Sequence, residues 1–295
     1  MKVLISGASG LVGTELANQL SEHGHTPIRL VRRAAKSAGE VEWNPAEGKI
    51  PDGILENIDA VVNLAGATTG RIPWTPRYRK IMVSSRLDST RTLCEAINRA
   101  SRKPSVFISG SASGFYGDRS DELLTENSGK GKGFLSDLAA DWEELALTAN
   151  TRVVLIRTTL VMSPKRGALA RLLPLIRLGL GGPIGTGRQW WAWISLRDEA
   201  AAIRHLIEND QAAGPYNLTA PQPATCSELI GALAKALNRP SWLRIPSWVM
   251  RLVFGEAAQE LLLGSQKMSA DRLLASGFVF QDPDLASACR YSVAR

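Results

Sequence analysis

Two hydroxyls, a run of glycines and a pair of arginines are the residue types in this chain best suited to chemistry. Ser111 and Tyr116 sit in Ser109-Gly110-Ser111-Ala112-Ser113-Gly114-Phe115-Tyr116-Gly117. A serine there can hydrogen-bond a substrate carbonyl, and a tyrosine on the opposite lip of a cleft can donate a proton. Against these stand a loop-capping hydroxyl for Ser111 and a tyrosine packed under the loop, its OH satisfied, for Tyr116. The glycines lie in Gly7-Ala8-Ser9-Gly10-Leu11-Val12-Gly13, directly after the apolar run Val3-Leu4-Ile5-Ser6. Glycine in a strand-to-helix turn permits a tight bend, close backbone approach to a pyrophosphate and close helix–strand contact. Gly7, Ser9, Gly10, Leu11, Val12 and Gly13 are therefore expected to hold a nucleotide diphosphate at a helix N-terminus. Arg32 and Arg33 come after Val31, where a carboxylate would hold a ribose 2′-hydroxyl, and no acidic residue appears between them and Glu40. A guanidinium fork pairs with a 2′-phosphate, so the reading selects NADP(H) over NAD(H).

Elements of regular spacing must position these groups. The glycine turn opens a helix over roughly 12–22, with Leu16 and Leu20 at helical spacing, and a second strand comes next at 28–33. Apolar runs at 60–64, 105–109 and 153–157 alternate with helical patterns near 75–100 and 134–149. That rhythm is the βαβ repeat of an α/β doubly wound parallel sheet, a Rossmann fold, in which ligands bind beyond the carboxyl ends of the strands. Asn63-Leu64-Ala65-Gly66, the loop from Ser109 to Gly117, and Arg157-Thr158-Thr159 fall at those ends and are expected to line the cofactor cleft. After residue 160 the rhythm breaks into Gly179-Leu180-Gly181-Gly182-Pro183-Ile184-Gly185-Thr186-Gly187 and Trp190-Trp191-Ala192-Trp193-Ile194. The division is thus 1–160 for nucleotide binding and 161–295 for a smaller, partly interleaved substrate-covering lobe, with a return strand near 215–218 joining the sheet.

Other notable residues read as structure. Asp118, Asp121 and Glu122 suit a solvated turn, and Asp137 suits acid–base work only if its helix faces the cleft. Trp74, Trp190, Trp191 and Trp193 are large enough that core packing is their default, although an aromatic wall over the substrate is the other reading. His23, His25 and His205 lack ligand spacing, so no metal is expected. Cys94, Cys226 and Cys289 are odd in number and widely spaced, as buried thiols in a reducing cytoplasm would be. The formal charge of +7 is scattered rather than gathered in a stripe, which argues against nucleic acid. No uninterrupted apolar run approaches ~18 residues, and the amphipathic stretch 246–263, with Trp248, Leu252 and Phe254 on one side, is expected to pack onto the lobe rather than to contact a membrane. A small-molecule substrate is the expected partner, and the reading leaves room for a homodimer.

The Gly7–Gly13 loop, Asn63-Leu64-Ala65-Gly66, Ser84-Ser85-Arg86 with Thr90, Ser111-Ala112 leading to Tyr116-Gly117, and Trp193-Ile194 with Asp198 resemble the extended short-chain dehydrogenase/reductase superfamily. The glycine-rich middle, and the tail from Arg239-Pro240 through Phe254-Gly255-Glu256 to Leu261-Leu262-Leu263-Gly264-Ser265-Gln266, are similar to its atypical NAD-dependent epimerase/dehydratase branch, sugar-nucleotide epimerase-like. The resemblance spans nearly the whole chain. It implies a Rossmann domain binding NADP(H), with Leu64, Ala65, Gly66, Arg86, Ser109 and Arg157 joining the cofactor contacts. One departure bears on mechanism. The superfamily's Tyr-x-x-x-Lys pair, in which lysine lowers the tyrosine pKa, is replaced by Phe134 and Leu138. Two functions are compatible with this: an NADP(H)-dependent oxidoreductase or epimerase of small, sugar-like metabolites with an atypical site, or a catalytically weak redox sensor or regulator, for example of cell division.

Overall fold

Seven parallel strands form the centre of the computed structural model, which describes residues 1–164, 167 and 169–293. In chain order the strands are β1 (Lys2–Ser6), β2 (Thr26–Val31), β3 (Glu40–Glu42), β4 (Ala60–Asn63), β5 (Val106–Ala112), β6 (Leu123–Leu124), β7 (Arg152–Thr158), β8 (Leu160–Met162), β9 (Trp193–Ser195), β10 (Gly214–Leu218) and β11 (Lys267–Met268). The main sheet runs β10-β7-β5-β4-β1-β2-β3, all parallel. Strand order reverses between β1 and β4, and a crevice opens at such a switch point. β6 with β11, and β8 with β9, form two small parallel pairs outside the sheet.

The seven helices that matter for function are α1 (Leu11–Glu22), α2 (Pro76–Arg99), α3 (Phe134–Ala146), α4 (Leu169–Arg177), α5 (Leu196–Glu208), α6 (Cys226–Ala236) and α7 (Ser247–Phe254). The strands are apolar on both faces because helices cover both. α1 and α5 bury Leu16, Leu20, Ile203 and Leu206 against Val3, Ile5, Ile108 and Ile156. On the other face Leu93 and Ile97 of α2 meet Leu4, Val61 and Phe107.

Past β7 the chain builds a second core from Met162, Trp191, Trp193, Leu229, Leu233 and Met250. Trp191 and Trp193 are therefore core residues, their indole N–H groups donating to the carbonyls of Leu262 (3.1 Å) and Gln222 (3.0 Å). β10 returns to pair with β7, register Tyr216↔Ile156, so the second core is threaded through the sheet edge. Asp198 fixes the junction. Its carboxylate accepts from the Ser195 hydroxyl and from the backbone N–H groups of Gln281 and Asp282, while Asp282 pairs with Arg197. The 246–263 stretch is not one helix: α7 ends at Gly255, whose φ of +57° breaks it, and a short turn and a π-helical turn come after it. Among the described residues no helix is long and apolar enough to cross a membrane.

Candidate active site

At the β1/β4 switch point the glycine turn is pressed against the exit of β4. Gly7 has φ +70°, and a Cβ there would lie 2.5 Å from the Leu64 carbonyl oxygen. A Cβ on Gly13 would meet the Gly7 carbonyl at 2.4 Å, so α1 packs directly on the turn. Thr14 N–H donates to Gly10 O at 3.0 Å as the first helical bond, and no side chain caps the N-terminus of α1. Ser9 and Gly10 are exposed, leaving the positive end of the helix open to an anion.

A buried polar staple holds the crevice floor. The Ser6 hydroxyl donates to Asn63 Oδ1, Asn63 Nδ2 donates to Thr90 Oγ1 at 2.9 Å, and Trp142 Nε1 reaches the same Oγ1 at 2.8 Å. Arg86, one turn before Thr90, lies beneath Gly66, where an added Cβ would be 3.1 Å from the guanidinium carbon. It stacks 5.3 Å from the Trp142 ring and donates to the Met82 carbonyl, and no carboxylate pairs with it among the described residues. Burial pulls its pKa down to about 10. A half-buried guanidinium without a counterion suits an anionic group.

The arginines after β2 part company. Arg33 makes a bidentate pair with Glu40, at 2.9 and 2.7 Å, which holds the Glu40 carboxyl down to about 2. Arg32 is exposed and pairs with no carboxylate among the described residues. Glu40, on a strand beside β2 with register Arg29↔Glu40, occupies the Arg33 fork.

Ser111, Tyr116 and Arg157 are brought together through Glu143. Ser111 is buried and donates to Glu143 Oε1 at 2.6 Å. Arg157 grips Glu143 through Nε and Nη2, both at 2.8 Å, and through Nη1 donates to the Tyr116 hydroxyl at 2.7 Å. That hydroxyl donates to Asn217 Oδ1 at 2.7 Å, and burial raises the Tyr116 pKa. Every member of this chain of bonds is buried, as is Ser109. The group ties β5, β7 and β10 to α3; it is a closed network rather than an open lip. Ser113, two residues past Ser111, is the hydroxyl at the end of β5 that is half-buried and makes no hydrogen bond among the described residues.

The start of α3 carries no acid–base pair. Phe134 meets Trp74 edge-on at 5.7 Å, with Arg79 over its ring, and Leu138 is buried beside Trp74, Met82 and Ala257. Glu260 from the second core accepts the N–H groups of Phe134 (2.9 Å) and Leu135 (3.2 Å), capping the helix. Asp137 points outward to Lys130, and Asp118 and Asp121 hold Ser265 and Trp190, so these carboxylates serve the loops. Sequence reasoning missed Glu143, Asn217 and Glu199. Glu199, in the first turn of α5, is buried; it accepts from the Thr158 hydroxyl at 2.7 Å through Oε1, while Oε2 has no partner among the described residues. Burial pushes its pKa up to about 8, so it is held as the neutral acid. A glutamate leading into an alanine-rich helical run was the only signal for it. Among the described residues no group of metal-binding side chains is present.

Comparison with known proteins places this arrangement. The model described as "NAD dependent epimerase/dehydratase family" matches residues 3–219, and one described as "Domain of unknown function (DUF1731)" matches 245–291. An epimerase family protein of Mycobacterium leprae is 39% identical over 296 residues, covering 99% of this chain and 96% of that protein. The crystal structure of human epimerase family protein SDR39U1 (isoform 2) with NADPH superposes with TM-score 0.92 at 32% identity, covering 99% of both chains. A nucleoside-diphosphate sugar epimerase from Corynebacterium glutamicum gives TM-score 0.81 at 31% identity, covering 99% of this chain and 58% of that one.

Proposed function

Because the chain belongs to the NAD-dependent epimerase/dehydratase family, as an atypical extended short-chain dehydrogenase/reductase, we propose that it binds NADP(H) at the β1/β4 crevice and acts as an oxidoreductase or epimerase-like enzyme on a small carbonyl or hydroxyl metabolite. Residues 1–160 with β10 form the cofactor unit, and the remainder covers the substrate. The carrying observation is the unpaired Arg32 beside an uncapped α1. A 2′-phosphate supplies the anion that Arg32 lacks, and the open helix end with the Gly7–Gly13 backbone accepts the diphosphate. Arg86 beneath Gly66 adds a half-buried positive charge on the same floor. The bound NADPH of the human relative supports the phosphate-bearing nucleotide, and the Corynebacterium relative's description supports a sugar-nucleotide-like substrate.

When bound, the cofactor supplies or accepts hydride. The protein contributes position and a dry floor, with Ser113 as the hydroxyl free to meet a substrate oxygen. Ser111 and Tyr116 act behind it by fixing the end of β5 through Glu143, Arg157 and Asn217. With Phe134 and Leu138 where an acid–base pair would stand, proton transfer lacks an aligned donor, and such a loss costs ~10²–10⁴-fold in rate. The same two residues favour a second reading, a regulator that binds NADP(H) and turns nothing over.

Single-turnover oxidation of NADPH, monitored with a panel of carbonyl compounds that includes nucleoside-diphosphate keto sugars, separates the readings. Slow oxidation by one of them, slowed further in Ser113→Ala, is expected. Tight NADPH binding with no oxidation by any compound would select the regulator.

A further inference from the structure

α7 is apolar on both faces. Val249, Met250 and Phe254 turn onto the second core, while Trp248 and Leu252, one turn apart, are 65% and 79% exposed. The sequence expectation that Trp248 and Leu252 pack onto the lobe with Phe254 is therefore corrected. Trp242, in the loop before α7, is 76% exposed, and Leu178, just past α4, is 73% exposed. These segments are neighbours: a Cβ on Gly179 would lie 3.6 Å from Pro240, one on Gly182 would meet the Leu243 backbone, and Ile184 bridges to Ile245. They make one apolar face, of the kind that marks an interaction site rather than chance exposure.

The two chain stretches that carry these residues hold charge of one sign. No Asp or Glu occurs between Glu144 and Asp198, or between Glu228 and Glu256. Those two stretches carry the exposed cations Arg177, Lys235, Arg239, Arg244 and Arg251. None of these forms an ion pair among the described residues, and Arg251 reaches only the Gln259 amide, at 3.4 Å. Cation and apolar residue alternate here, as in Arg239, Trp242, Arg244 and again in Trp248, Arg251, Leu252. Indole rings that settle at headgroup depth, beside arginines that bury their stems and leave the guanidinium in the polar layer, suit a bilayer interface. Two signals, apolar insertion and a basic patch, are what stable peripheral binding requires.

We propose that this face of the C-terminal lobe docks the protein on an anionic lipid surface, with Trp242, Trp248 and Leu252 entering the headgroup layer and Arg239, Arg244 and Arg251 meeting lipid phosphates. The inference does not depend on the cofactor reading.

Co-sedimentation of the full chain with phosphatidylglycerol-containing vesicles and with pure phosphatidylcholine vesicles tests it, with light scattering of the lipid-free protein alongside. The wild type is expected to pellet with the anionic vesicles, to show a blue-shifted tryptophan emission there, and to bind neutral vesicles weakly. Arg244→Glu/Arg251→Glu, and separately Trp248→Ser/Leu252→Ser, should each lower binding by roughly tenfold or more with the thermal melt unchanged. Absence of pelleting by the wild type, or pelleting that neither double variant alters, overturns the proposal. Self-association abolished by Trp248→Ser/Leu252→Ser, without vesicle binding, would assign the face to a second copy of the chain and overturns it equally.

Discussion

Arg32 and Arg33 stand side by side and have different work. Arg33 already has its carboxylate in Glu40, so a ligand phosphate must displace that partner to reach it. Arg32 has nothing to displace. Arg32→Ala should therefore weaken NADPH binding by about 1.5–3 kcal/mol while NADH binding changes little, and Arg33→Ala should cost less than Arg32→Ala. Calorimetric titration of both variants with both nucleotides checks this; equal losses for the two nucleotides would remove the 2′-phosphate from the account. Glu199 gives a second residue-scale prediction. Its folded pKa of about 8 lies above the ordinary 4.5 because burial penalises the anion, so between those values the unfolded chain has released a proton that the folded chain retains. Stability must fall as pH rises through that window, with a slope from this group approaching about 1.4 kcal/mol per pH unit. Glu199→Gln should flatten the dependence, measured as the difference in Tm between pH 5 and pH 8. Arg32 was legible in the sequence because its meaning comes from its position at the end of the second strand. The pairing of Arg33 was not, since a three-residue strand, β3, brings Glu40 back alongside β2.

At the scale of elements, β1, β2, β4, β5, β7 and β10 and helices α1, α2 and α3 announced themselves through period, and their observed limits fall within a few residues of the sequence reading. The parallel strands are buried on both faces and so read as short apolar runs. What periodicity cannot carry is the tie between distant elements. Glu143 of α3 lies fourteen residues before Arg157 of β7 in sequence, yet both groups are buried in one bidentate pair. Removing one partner leaves an unpaired buried charge, so Glu143→Ala should destabilise the protein by about 3–5 kcal/mol in denaturant unfolding. If it costs under about 1 kcal/mol, the network is not the brace described for the end of β5. Glu260 joins the second core to the start of α3 in the same way, and Glu260→Ala should cost about 0.5–2 kcal/mol, as loss of a helix cap does. The break of 246–263 at Gly255 was legible in principle, a glycine in an otherwise apolar helical run. The apolar period on either side of it masked the signal.

Over the whole molecule, the sheet has its switch point between β1 and β4, and the second core is joined to the sheet and to α3 through β10, Asp198 and Glu260. Phe134 and Leu138 pack with Trp74, while the β1/β4 crevice keeps an open helix terminus, an Arg32 that pairs with no carboxylate among the described residues, and the half-buried Arg86. The proposed division of labour is to hold a phosphorylated nicotinamide nucleotide first and to move protons second. Side-by-side titration of the purified wild-type chain with NADPH and NADH tests that directly. One site per chain is expected, with NADPH preferred by at least roughly tenfold, the equivalent of about 1.4 kcal/mol; equal affinity for the two, or no binding of either, would rule out a 2′-phosphate site at Arg32.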